Sequence, residues 1–285
     1  MQMGKGHLFV FLAACMWGTL GIFAKYLSGL GLDTFTMVFY RVFFAVLLLA
    51  VYLKLTGIGF SIEIDRLKFY AAYGFFSIFL FYNLYFFTVT ISSVSFAVLL
   101  LYTAPIYSII MGKIFFGEEL TGEKIIALFL VMIGVFLVNG VREGFSALAL
   151  LSGLLTGFTY ALYGILAKFA VKKEPPEKAL FYTLFFGLLY LFPFARLQVP
   201  VRAFSYLFSL ALFPTFLGYI LYNHALREVE VGRASIIATV EPVVAIVLAF
   251  LLFGERMSSF QMLGAFFIIG GSLLVHARPS IFFDR

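Results

Sequence analysis

Charge is scarce in this chain. Asp, Glu, Lys and Arg make up 12% of its 285 residues, roughly half the share that a water-facing surface carries. That excludes a large soluble module. Cys15, the single cysteine, lies within an apolar run, so no internal disulfide is expected. The only histidines are His7, His224 and His276, and no Asp-rich cluster falls within an apolar run. Intramembrane chemistry on lipids needs clustered acids, bases or metal ligands, so no catalytic residue, metal or cofactor is expected. A Gly-rich phosphate loop ending Gly-Lys-Ser/Thr is absent, which argues against self-powered nucleotide hydrolysis. A Gly-x-Ser-x-Gly elbow is absent too. The first apolar run lacks a small-residue cleavage site, and no cleavable signal is expected.

What is present is apolar. Hydrophobic residues make up 63% of the chain, and the mean hydropathy is +1.07. A hydrocarbon core of about 30 Å takes roughly 20 apolar residues as helix, and in lipid the backbone must satisfy its own hydrogen bonds. The apolar runs predict an all-α integral membrane protein of ten transmembrane helices, in one membrane domain over residues 1–285. The first five spans are Leu8–Leu27, Phe35–Leu55, Phe69–Thr88, Ser93–Phe115 and Lys124–Val138. The second five are Leu148–Val171, Ala179–Ala195, Phe204–Leu226, Val231–Phe253 and Phe260–Val275. The break at Val89-Thr90-Ile91-Ser92 is the weakest of the nine.

The net charge of +6 is spread between the spans, which marks topology and not a nucleic-acid surface. With the amino terminus inside, Lys25, Arg41, Arg142, Arg196, Arg202 and Arg256 fall on the outer side. The other fourteen of the 20 basic residues fall inside. Both termini are therefore expected in the cytoplasm.

The two halves match each other. Gly21-Ile22-Phe23-Ala24-Lys25 recurs as Gly164-Ile165-Leu166-Ala167-Lys168, and Phe39-Tyr40-Arg41 as Phe181-Tyr182-Thr183. Tyr82-Asn83 recurs as Tyr222-Asn223, Pro105 as Pro242, and Phe116-Gly117-Glu118 as Phe253-Gly254-Glu255. The repeats run over about residues 7–140 and 146–277. A unit with an odd number of spans must insert in opposite senses, and such inverted repeats are a common architecture of secondary transporters.

These residues carry a resemblance. Five-plus-five spans, Trp17-Gly18 in span one, Arg41 in span two, the prolines of spans four and nine and the Gly-Glu after each make the chain similar to EamA-type members of the drug/metabolite transporter superfamily. Glu241-Pro242 is the closest match. The resemblance covers nearly the whole chain. It implies a ten-helix fold in a prokaryotic cell membrane, and export or exchange of amino acids or related metabolites.

Several side chains are candidates for the site. Ala14, Gly18, Gly21 and Lys25 share one face of span one, and Gly157, Ala161, Gly164 and Lys168 the matching face of span six. Small residues at this spacing let backbones approach, as tight packing or as a seam between the halves. Trp17 and Tyr160 would then face a central cavity, with Tyr82, Tyr102, Tyr163 and Tyr222 beside them. Asn223 and Asn83 need partners in hydrocarbon, from a ligand or another helix. Pro105 and Pro242 sit inside their spans, each freeing a carbonyl one turn back, and are candidate hinges.

Three polar groups appear in one half only: Arg41 against Thr183, His224 against Leu84, and Glu241 against Ala104. A mid-span carboxylate costs about 2.5–3.5 kcal/mol if charged and unpaired. Glu241 is the candidate coupling residue, with a proton as the coupled ion. Arg41 is the candidate cation for a substrate carboxylate, or else it snorkels to the outer interface. His224 is expected at an interface. Glu118 and Glu255 are expected to sit at the N-termini of spans five and ten, where the helix dipole favours a carboxylate.

A small polar substrate moved by alternating access is the leading expectation, with the lipid bilayer as the other partner. A sugar-phosphate or nucleotide-sugar carrier is the nearest alternative, although a dianion would want more than one intramembrane cation. An intramembrane lipid-modifying enzyme lacks its acids and bases, and a channel lacks a charged ring or filter.

Overall fold

The computed structural model describes residues 4–140 and 146–275. Arg142, Arg278, Arg285 and His276, four of the expected topology and titratable residues, lie outside the described residues. Among the described residues the regular structure is helical, and the ten apolar runs appear as ten helices. The first five are α1 (Lys5–Gly29), α2 (Thr34–Thr56), α3 (Ile64–Ile91), α4 (Val94–Phe116) and α5 (Gly122–Asn139). The second five are α6 (Ala147–Val171), α7 (Pro176–Phe194), α8 (Ala203–Ala225), α9 (Val231–Phe253) and α10 (Ser259–Leu274). The first nine are long and apolar enough to cross a membrane. The 16-residue α10 is shorter and lies along the 18-residue α5.

Polar residues set the ends. The side chains of Asp33, Ser93, Thr121, Ser146 and Ser258 each accept from the N–H three residues on, starting α2, α4, α5, α6 and α10. Gly117 and Gly254, partners in the repeat, close α4 and α9 with φ of 68° and 65°. Only glycine adopts that conformation freely. The break between α3 and α4 narrows to Ser92-Ser93, because Thr90 and Ile91 continue the helix.

Packing follows the repeat. α1 lies against α8 and α9, and its counterpart α6 lies against α3 and α4. The pairs α2–α7, α4–α9 and α5–α10 each join a helix to its own repeat partner. This is the pattern of two inverted five-helix repeats related by a two-fold axis. The α5–α10 crossing is a glycine contact: a Cβ at Gly134 would stand 2.6 Å from the Gly264 carbonyl oxygen, and one at Gly264 would stand 2.6 Å from that of Gly134. Backbone cannot yield to a methyl there. Gly134→Ala is therefore expected to destabilise the fold by about 1–3 kcal/mol, read as a lower melting temperature in detergent. An unchanged melting temperature would contradict the contact.

Three of the spans are broken. α1 breaks at Thr19, whose hydroxyl donates to the Met16 carbonyl (2.6 Å). α4 breaks at Tyr102-Thr103 and α9 at Thr239-Val240, and Thr103 and Thr239 donate to Leu100 and Ile236 in the same way. The prolines are thus not kinks within continuous helices, as their mid-span position suggested. Pro105 and Pro242 occupy the first turn of a second half-helix, where a missing N–H costs nothing. α8 and α3 are not broken but each carries a π-helical segment, over Ala211–Leu217 and Phe75–Leu80.

Candidate functional site

The broken segments meet around one cavity of about 1270 Å³, open at one end of the bundle. Its wall includes Trp17, Gly18 and Gly21 of α1, Arg41 of α2, Tyr82 and Tyr85 of α3, and Tyr102 of α4. α6 adds Tyr160, α8 adds Tyr219, and α9 adds Glu241 and Pro242. The mouth is formed by Val94 and Ser95 on one side and Arg256, Ser258, Phe260 and Gln261 on the other.

Arg41 does not snorkel. It is 5% exposed, and its Nε donates to the Thr215 hydroxyl (3.0 Å). The π-helical turn of α8 makes that contact, since Thr215 Oγ1 in turn donates to the Leu210 carbonyl five residues back (3.1 Å). The guanidinium also lies over the Tyr82 ring, 5.5 Å from its centroid, a favourable cation–π placement. Glu241 opens the second half of α9 and is half-buried on the same wall. The Tyr102 hydroxyl and the Arg41 guanidinium are both near enough to act on its carboxylate. One fixed cation and one carboxylate therefore share a cavity lined by Tyr and Trp faces.

Trp17 and Tyr219 form the floor, with ring centroids 5.4 Å apart. Tyr163, Tyr222 and Asn223, expected on the wall, stand one layer beneath it. Tyr163 packs under Tyr219 (4.9 Å), Tyr222 under Trp17 (5.2 Å), and the Tyr163 hydroxyl donates to Asn223 Oδ1 (3.1 Å). Asn83 bonds within its own helix, to the Phe79 carbonyl. The Tyr163→Phe substitution should accordingly cost about 1 kcal/mol of stability, the worth of one neutral hydrogen bond, while apparent substrate affinity stays within about twofold. A large loss of affinity without loss of stability would put Tyr163 back on the wall.

Below this aromatic layer the bundle is latched by ion pairs. Glu118, 5% exposed, accepts from the backbone N–H groups of Val231 (2.7 Å) and Gly232 (3.1 Å) and from Lys168 Nζ (3.0 Å). It does sit at a helix N-terminus, but at that of α9 in the other repeat, not that of α5. Glu230 pairs with Lys124 (2.8 Å) and Arg233 (2.6 Å). Burial pushes its carboxyl upward, but these two cations outweigh that and hold it below the ordinary range. His224 lies in the last turn of α8, where its Nε2 is 2.7 Å from Glu177. At the open end Glu255 meets Lys25 instead (2.8 Å), with both side chains more than half exposed.

The small-residue faces of α1 and α6 form a seam between the repeats. A Cβ at Gly18 would meet the Glu241 carbonyl oxygen at 3.0 Å and Val244 at 2.6 Å. One at Gly157 would meet the Leu100 carbonyl at 2.7 Å.

Comparison with known proteins agrees with this architecture. The sequence profile of the EamA-like transporter family matches twice, over residues 4–140 and 147–277. The chain belongs to the EamA-like transporter family. A relative in Archaeoglobus fulgidus, described as an uncharacterized transporter, is 29% identical over 273 residues, covering 95% of this chain and 96% of its own. A protein of Streptantibioticus cattleyicolor described as a probable terminal-alkyne amino-acid exporter is 24% identical, over 64% of each chain. One solved crystal structure superposes with a TM-score of 0.84 over 96% of both chains at 15% identity, a likeness of fold alone.

Thr215 and Tyr85 were missed by sequence reasoning. Pro214-Thr215 inside an apolar run is the only available signal for the first. Tyr85 lies one turn beyond Tyr82 on the same face, and helical spacing alone could have found it.

Proposed function

We propose that this EamA-family transporter exports or exchanges zwitterionic amino acids or closely related metabolites by alternating access, coupled to protons through Glu241. The observation that carries the reading is the pairing of one buried cation with one carboxylate in a single aromatic-walled cavity. Arg41 suits a substrate carboxylate, since guanidinium binds it through a planar fork. Glu241 and the aromatic faces suit an ammonium group. The Streptantibioticus relative's description as an amino-acid exporter supports the same substrate class. A sugar phosphate would meet Arg41 as the one buried basic residue among the described cavity-lining residues, beside a carboxylate that repels it.

The bias of basic residues supports cytoplasmic termini, an orientation in which the cavity would open outward. A cysteine placed at Arg256 should then react with an impermeant maleimide from outside whole cells. Labelling only after permeabilisation would reverse the orientation. The substrate class is tested with purified protein in liposomes preloaded with a metabolite panel. Saturable counterflow is expected for neutral amino acids and weak or none for sugar phosphates. Saturable flux of phosphates alone would overturn the reading.

A further inference from the structure

The inverted repeat assigns a counterpart to every contact of the Glu118 latch, and the two ends of the bundle display the two states of that contact. Adding 137 to the residues of α4 gives those of α9: Val94–Leu101 matches Val231–Ala238, and Ala104–Phe116 matches Glu241–Phe253. Glu118 thus corresponds to Glu255, the N–H groups of Val231 and Gly232 to those of Val94 and Ser95, and Lys168 to Lys25.

At the closed end all of these parts touch. Glu118 accepts from Val231 and Gly232, while Lys168 bridges Glu118 to the Val229 carbonyl (3.1 Å). Lys168 also lies over Phe116 at 5.3 Å. A Cβ at Gly164 would press on Val231 at 3.1 Å. At the open end half of the same arrangement is already assembled. Lys25 holds Glu255 and lies over Phe253 at 3.8 Å. Val94 and Ser95 face the cavity mouth instead, and Gly21, the partner of Gly164, has nothing within 4 Å. α4 keeps its own cap meanwhile, because Ser93 accepts from Phe96 N. α9 has no such side-chain cap at Glu230 and depends on Glu118.

We propose that Glu118 and Glu255 are alternating latches of the transport cycle: when Glu118 releases α9, Glu255 seats on the N–H groups of Val94 and Ser95 and closes the other end. A carboxylate on free first-turn N–H groups is favourable in either position, so breaking one latch is offset by forming the other. The proposal rests on the alternating-access reading but not on any substrate.

The two latches are not equal. A Cβ at Gly112 would stand 2.5 Å from Glu118 Oε2, and the corresponding residue at the open end is Ala249. Gly232, whose Cβ would lie 3.0 Å from Ile109, is matched by Ser95. Both differences crowd the Glu255 seat and favour the state in which Glu118 is latched.

Two reporter cysteines test this in full-length protein with Cys15 replaced by Ala. Ala24→Cys lines the cavity, and its repeat partner Ala167→Cys sits at a position 1% exposed. Maleimide labelling of each in detergent gives a ratio that follows which end is open. Glu118→Gln should shift that ratio toward Ala167→Cys by roughly tenfold, the effect of one charge-assisted hydrogen bond. Glu255→Gln should shift it the opposite way. Ala249→Gly, which changes no charge, should move it in the same direction as Glu118→Gln. Should Glu118→Gln unfold the protein, both reporters would label quickly, and the direction of Ala249→Gly decides. The latch is refuted if Glu118→Gln and Glu255→Gln shift the ratio in the same direction, or if Ala249→Gly leaves it unmoved. Labelling needs no substrate, so a wrong substrate class would leave these results intact.

Discussion

Replacing Arg41 by Gln is expected to raise the KM for a neutral amino acid by roughly ten- to a hundredfold, the loss of a charge-assisted hydrogen bond to carboxylate. The side chain is fixed on two sides, by Thr215 at its Nε and by the Tyr82 ring beneath. Little ordering of the guanidinium is left to the moment of binding. Arg41→Lys keeps the charge but not the planar fork, and should fall between the wild type and Arg41→Gln. Thr215→Val removes the anchor and leaves the charge, so a loss of only severalfold is expected. Counterflow of the substrate beside its decarboxylated amine separates recognition from folding. The amine lacks the group that Arg41 would hold, and its KM should be indifferent to the substitution. If Arg41→Gln impairs the amine as strongly as the amino acid, Arg41 is a structural tie between α2 and α8 and not a substrate ligand.

Arg41 also shows what a sequence conveys in a membrane protein. The ten spans were legible because each crossing demands its own run of apolar residues, and the repeat was legible because Gly-Glu, Tyr-Asn and proline recur in order. Depth and face were less so. In an all-apolar helix the hydrophobic pattern does not reveal which side meets protein, so Arg41 could equally have reached for the interface. Tyr160 and Tyr163 lie three residues apart on adjacent turns, yet only Tyr160 reaches the cavity. Tyr163 is one layer farther toward the latched end, bonded to Asn223. The break at Thr19 carried no usable mark, since a threonine bonding back to a carbonyl also occurs in continuous helices. Glu118 was read as a carboxylate at the N-terminus of span five, but the N–H groups it holds lie 113 and 114 residues away in α9, a separation that local capping rules do not address.

Glu241 stands where the break in α9 meets the cavity, with Tyr102 and Arg41 both in electrostatic reach of its carboxylate. Its repeat partner is Ala104, so the group exists once per molecule. A carboxylate wetted through the open mouth in one state and sealed from water in the other can bind a proton on one side and release it on the other. Glu241→Gln keeps the size and the hydrogen-bond acceptor while removing titration. In vesicles with an imposed pH gradient, the wild type should concentrate substrate against its own gradient, and the Gln variant should fail to do so. Exchange between equal pools of labelled and unlabelled substrate needs no net proton movement, and the Gln variant should retain most of it. Folding is monitored by the same exchange, because a collapsed protein would lose both activities. A helix tie makes the opposite demand: Gln serves nearly as well as Glu in holding Tyr102, so accumulation and exchange would both persist. A Glu241→Gln protein that still concentrates substrate on a pH gradient removes the proton-coupling role and leaves Glu241 as a partner for the substrate ammonium alone.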